Sequence, residues 1–245
     1  MIIKYGDNKI KMEYLNKEKY DFDDLNQIMR ILRSENGCPW DREQTHQSIR
    51  NNFIEEVYEA VEAIDENKSE LLKEELGDVL LQVIFHSQIS EDHKEFDIND
   101  VCDEICRKLI IRHPHIFSDT IVDTSAQVLS NWENIKIKEK GYANTKEYLE
   151  SAAKSLPALM RAEKIHKRRL KRKVIEKVEP GDIIKRLKGD IRELENAKNN
   201  DANKISEIIG RTIYEIVCFS CVYNINAEQS LYDFNDNLIK NDENC

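Results

Sequence analysis

The sequence predicts an all-α protein: a helical bundle built as a tandem of two lobes, the second a degenerate copy of the first. Three observations carry that prediction. Only 7 Gly and 4 Pro occur among 245 residues, of which 34% are charged, a composition suited to long helices. Apolar residues recur at helical spacing in the stretches 49–64 and 71–89, and no strand-like alternation stands out. The run 205–222 (ISEIIGRTIYEIVCFSCV) also aligns with residues 73–90, matching Gly210 to Gly77.

Taken in order, residues 1–20 are polar and read as a tail. A first lobe spans 21–141, closed by Gly141; a basic helical connector follows over 142–175; the second lobe covers 176–245, opened by Pro180-Gly181. Cys38-Pro39-Trp40-Asp41 reads as a turn that Trp40 anchors. Beyond it, Ile49, Phe53, Val57, Val61 and Ile64 fall on one helix face. At about 100° per residue Glu56 lies at the edge of that stripe, with Glu59 beside it and Glu55 further round. From Leu71 to Ile89 the pattern is apolar almost all round, as expected of a buried helix, yet Glu75 and Asp78 share one side of it.

Buried carboxylates are unfavourable unless a cation neutralises them. Glu62, Asp65, Glu66, Glu70 and Glu74 fit a solvated face; Glu75 and Asp78 do not. Between residues 51 and 93 the only basic side chains apart from His86 and His93 are Lys68 and Lys73, so a metal ion is the better neutraliser. All-oxygen donors without thiolate or imidazole at ligand spacing favour magnesium, with manganese as a substitute, over zinc. A di-iron bundle site would need Glu-x-x-His on each of two helices, and Glu43 to His46 has no counterpart. Magnesium bound this way completes its shell with water and substrate phosphates. Lys108 and Arg112, one turn apart on a helix starting near Asp97, can supply the cations a phosphate needs.

Glu55-Glu56-x-x-Glu59 followed by Glu75-x-x-Asp78 resembles the signature of the all-α nucleoside triphosphate pyrophosphohydrolases. The flanking stretches 35–41 (ENGCPWD), 42–46, 108–117 (KLIIRHPHIF) and 155–165 (SLPALMRAEKI) narrow the resemblance to the MazG family, over about residues 25–166. It implies magnesium-dependent hydrolysis of nucleoside triphosphates between the α and β phosphates, with broad base tolerance, by a homodimer. It further implies Glu56, Glu59, Glu75 and Asp78 as metal ligands, Lys108 and Arg112 on the triphosphate, and Trp132 near the nucleotide. Any of the five acids can act as general base in such a site; Glu55, one turn from Glu59 but off the apolar edge, is the candidate.

The remaining features read more plainly. No run of eighteen apolar residues and no secretory signal occurs, so a cytoplasmic protein is expected. A formal charge of −10 counts against general nucleic-acid binding. Cys218 and Cys221 lie in an apolar helical run and read as core thiols, and His113-Pro114-His115 as a helix end. In the basic stretch 161–173, Leu159, Ile165 and Leu170 interleave with the charges, as in a solvated connecting helix. In the second lobe, alignment puts Ile208 and Arg211 where the first has Glu75 and Asp78. Aligning the preceding helix matches Gly189, Asp190 and Glu193 to Glu55, Glu56 and Glu59, and Asn237 and Asn241 fall near the Lys and Arg positions. Such a copy is expected to be silent. Two other classes fit the sequence: a non-catalytic nucleotide-binding regulator and a helical interaction protein.

Overall fold

The computed structural model describes Tyr14, residues 17–197 and residues 201–242; most of the expected N-terminal tail lies outside the described residues. Twelve α-helices and no strand occur among those described, so the fold is all-α. The chain divides into two compact units, one reaching to Trp132 and one beginning at Glu133.

The first unit opens with α1 (Phe22–Arg33), started by a capping box in which Asp21 and Asp24 each accept from the other's backbone N–H. At its end Gly37 N–H donates to the Ser34 carbonyl at 2.8 Å and Cys38 N–H to that of Leu32 at 2.7 Å. A Cβ on Gly37 would lie 2.1 Å from the Leu32 carbonyl oxygen, so only glycine fits there. The expected turn at Cys38 is instead the cap of a short helix, α2 (Pro39–Glu43), because proline suits the first helical position. Trp40 is exposed but sets its ring edge-on to Phe85 at 6.4 Å, which ties α2 to the core.

Helices α3 (Arg50–Asp65) and α4 (Ser69–Asp92) form an antiparallel hairpin, the most extensive helix pair in the molecule. Asn67, at φ 55°, makes the reversal, and Lys68 N–H closes it onto the Ala63 carbonyl at 3.0 Å. The face of α3 turned inward differs from the expected one. Ala60 and Ala63 are buried, whereas Val57, Val61 and Ile64 are 42%, 39% and 55% exposed. Small residues let two helices approach closely, and on α3 it is the alanines that are covered. Helix α4 is likewise buried in only part of its length. Leu76 and Leu80 are exposed, while Ile84, Phe85 and Ile89 join Met29, Ile49 and Ile98 in the core. That half of α4 packs on α1 and on α5 (Ile98–Arg112), started by a second capping box at Asp97 and Asp100. Helix α5 stops at His113, and Pro114 begins the single turn α6 (Pro114–Phe117). Helix α7 (Ser125–Lys140) runs across the division between the units.

The second unit holds the remainder of α7 with α8 (Thr145–Glu150), α9 (Ala158–Lys171), α10 (Pro180–Glu195), α11 (Ala202–Val222) and α12 (Ala227–Asp242). Helices α10 and α11 form its main pair, with Ile183, Ile208 and Val217 buried. The basic helix α9 departs from the expected solvated connector: it packs on α8, α11 and α12. Its His166 and Arg168 are buried, and Leu159, Ile165 and Leu170 are partly covered. The interleaved apolar residues supply one face of a helix whose other face carries the charge. Cys218 is buried, as expected of a core thiol, with Sγ 3.1 Å from His166 Nδ1, and burial pushes its pKa up to about 11. No described helix is long and apolar enough to cross a membrane.

Candidate active site

The i, i+3 spacing puts the acids of each helix on one side, and the α3–α4 hairpin brings those two sides together. Glu56 of α3 and Glu75 and Asp78 of α4 each bring one carboxylate oxygen within 4.8 Å of the other two. Glu75 is 8% exposed, and Glu56 and Asp78 are half-buried. Glu59 is exposed and lies close enough to Glu56 and Glu75 to act on the charge of both.

The electrostatics mark this as uncompensated negative charge. Burial, and then the Asp78 and Glu59 charges, raise the pKa of Glu56. Burial, and then Glu59 and Asp78, raise that of Glu75. The two nearby lysines are engaged elsewhere: Lys68 with Glu66 at 2.6 Å and Lys73 with Glu70. Glu62, Asp65, Glu66, Glu70 and Glu74 are exposed. Three converging hard oxygen donors, with no cation paired to them among the described residues, suit a divalent ion such as magnesium or manganese.

The other singled-out residues occupy distinct places. Glu55 is exposed on α3, outside the converging group. Lys108 pairs with Glu104 one turn back on α5. Arg112 is buried at the end of α5, with its guanidinium 5.2 Å from the centroid of the Trp132 ring, so these two residues come together as a pair.

Spacing gave no hint of two further contacts that hold the hairpin in place. His46, just before α3, and His86 of α4 stack with centroids 5.1 Å apart and Nδ1 atoms 2.8 Å apart. His46 Nε2 also lies 3.3 Å from Ser90 Oγ. Burial, and then His46, lower the pKa of His86, which favours its neutral form. At the far end of α4, buried Arg33 binds Asp92 at 2.8 Å and lies 5.4 Å from the Phe85 ring centroid. Neither pairing has a local sequence signal, since each joins residues 40 or more positions apart.

With this geometry in hand, comparison with known proteins is informative. The chain is 39% identical over 210 residues to the nucleoside triphosphate pyrophosphohydrolase/pyrophosphatase MazG of Thermotoga maritima, a match covering 86% of this chain and 79% of that one. The chain belongs to the MazG family. The model of the MazG nucleotide pyrophosphohydrolase domain matches residues 44–117, which hold all five candidate acids as well as Lys108 and Arg112. Other relatives match over a shorter part of the chain. The nucleoside triphosphate pyrophosphohydrolase of Escherichia coli K12 is 46% identical over 147 residues, 60% of this chain and 56% of that one. The uncharacterized protein YabN of Bacillus subtilis is 49% identical over 148 residues, of which this chain spans 30% of the relative's length.

Proposed function

We propose that the protein hydrolyses nucleoside triphosphates at the α–β phosphate bond, giving a nucleoside monophosphate and pyrophosphate, in a magnesium-dependent reaction tolerant of the base. The observation that carries this reading is the convergence of Glu56, Glu75 and Asp78 with no internal cation among them. Family membership supplies the reaction class.

In this reading Glu56, Glu59, Glu75 and Asp78 hold magnesium, with manganese as a substitute. When bound, the ion lowers the pKa of water and offsets charge on phosphate oxygens. Water attacks the α phosphorus, the bond to the α–β bridging oxygen breaks, and pyrophosphate leaves with that oxygen. The proton of the attacking water passes to a carboxylate not fully committed to the ion. Glu55, exposed and outside the converging group, is the candidate, and the exposed Glu59 is the alternative. Lys108 and Arg112 draw in the triphosphate, and the Arg112–Trp132 pair presents an aromatic surface beside it. We also read the protein as a cytoplasmic homodimer. The exposed line Val57, Val61 and Ile64 on α3, with Leu76 and Leu80 on α4, supports a second copy covering the hairpin.

Product analysis tests the activity. A panel of nucleoside triphosphates with magnesium should yield monophosphate and pyrophosphate in equal amounts, and chelation should stop the reaction. Release of orthophosphate and diphosphate instead, or full turnover in chelator, contradicts the assignment. Sedimentation or light scattering of the full chain, compared with Val57→Lys, tests the dimer.

A further inference from the structure

The second unit contains an open cavity of about 270 Å³ with cationic walls, near the lower end of the ~300–1,000 Å³ common for small-ligand sites. Helix α9 presents Lys164, Lys167, Arg168 and Lys171 to it, and α7 adds Lys136. Spacings of three and four put the α9 residues on one helix face, so like charges stack along the cavity wall. That arrangement is destabilising unless an anion lies among them.

Partners within the chain neutralise only part of this charge. Lys167 pairs with Glu163. Glu133, the one carboxylate in the wall, accepts from the Tyr148 hydroxyl at 3.3 Å. Arg168 is 8% exposed and is fixed by neutral groups, 2.7 Å from the Tyr148 carbonyl and 2.8 Å from Ser151 Oγ, with its guanidinium 4.8 Å from the Tyr148 ring centroid. Among the described residues, Lys164 and Lys171 have no ion pair or hydrogen bond. Burial, with Lys136 and Arg172 nearby, lowers the pKa of Lys171, although Glu133 opposes the shift. A rigid buried guanidinium thus forms the back of a cavity whose rim carries long, adaptable ammonium groups.

We propose that this cavity binds a compact polyphosphate anion, either pyrophosphate or the triphosphate end of a nucleotide. The excess of cations over one carboxylate calls for a multiply charged ligand. Extended nucleic acid fits less well, because the cations converge on one cavity and the buried Tyr148 ring offers no open face for base stacking. The site lies wholly within the second unit and does not depend on turnover by the first. If the first unit does release pyrophosphate, this site is placed to sense product or substrate.

Calorimetric titration of the full chain with sodium pyrophosphate in EDTA tests the proposal: without a metal the first unit's carboxylates cannot hold the anion, and Lys108→Ala, run alongside, removes the contribution of that unit's cations. One-site saturable binding is expected, with ATP competing and AMP not. Tighter binding of pyrophosphate than of ATP assigns the product as ligand, and the reverse assigns a nucleotide. Lys164→Gln and Lys171→Gln should each weaken binding about tenfold or more, while the paired Lys→Arg variants retain it and Asp78→Asn leaves it unchanged. Absence of saturable binding to both anions overturns the proposal. So does unchanged affinity in the Lys164→Gln/Lys171→Gln double variant, loss of binding in Asp78→Asn, or tighter binding of an RNA oligonucleotide than of pyrophosphate.

Discussion

In the second unit the guanidinium of Arg211 binds Asp190, with Nε 2.7 Å from Oδ1, and its Nη2 lies 2.9 Å from Glu193 Oε2. Alignment on Gly210 and Gly77 puts Arg211 at the position of Asp78, and separate alignment of the preceding helix puts Asp190 and Glu193 at those of Glu56 and Glu59. The position matching Glu75 is Ile208, which is buried. The arrangement supports a silent second lobe, in which a cation built into the chain meets the two carboxylates that in the first lobe lack one. An arginine there both removes a ligand and repels a divalent ion.

Arg211→Ala should therefore destabilise the protein without altering catalysis. It leaves Asp190, which is 5% exposed, without its counter-ion. The melting temperature should fall, and Asp190→Asn in the same chain should recover part of the loss. Turnover per folded molecule should match the wild type. A change in kcat would show that the second lobe takes part in the chemistry.

Asp78→Asn and Glu59→Gln should each lower magnesium-dependent turnover on the order of 100-fold or more, since loss of even an outer-shell partner of a metal ligand commonly costs roughly 10–100-fold. The folded, metal-free proteins should be as stable as the wild type or slightly more so, because a like charge is removed from the cluster. Lys108→Ala should act mainly on KM. Steady-state kinetics with thermal melts in chelator separates these effects, and wild-type rates in Asp78→Asn would remove it from the site.

The raised pKa values of Glu56 and Glu75 make the metal-free protein pH-sensitive. Both carboxyls bind protons more tightly folded than unfolded. Their contribution to stability is thus complete below the ordinary carboxylate range and is lost as pH rises through the raised folded values. Glu75→Gln escapes this loss. In EDTA its melting temperature should gain on the wild type as pH climbs from about 4 to neutrality, and magnesium should shrink the gap by stabilising the wild type. A gap independent of pH would show that Glu75 is not destabilised by its charge.

Gly37→Ala should destabilise the first unit by about 1–3 kcal/mol, because the added Cβ meets backbone and the chain must shift around it. Gly77→Ala is the control: nothing lies within 4 Å of a Cβ there, so alanine should stabilise α4 in the single chain. Denaturant melts of the two variants, run side by side, should move in opposite directions.

The sequence by itself determined that the chain is helical, where α3, α4, α5 and α11 lie, and which acids can meet. Glu56 and Glu59, like Glu75 and Asp78, are three residues apart, and helical geometry alone puts each pair on one side. Periodicity states the angles between residues on a helix, however, and not which sector a neighbour covers. Packing chose Ala60 and Ala63 over Val57 and Val61 for the inside of α3, because close approach of α4 favours small side chains over apolar ones. Packing likewise drew the basic helix α9 into the second unit and so created the cationic cavity. Its walls join residues from α7, α8 and α9, separated by up to 38 positions from Glu133 to Lys171. The pairings His46–His86, Arg33–Asp92 and Arg211–Asp190 belong to the same class. Each depends on two distant segments being brought together by contacts elsewhere, so no local spacing can announce it.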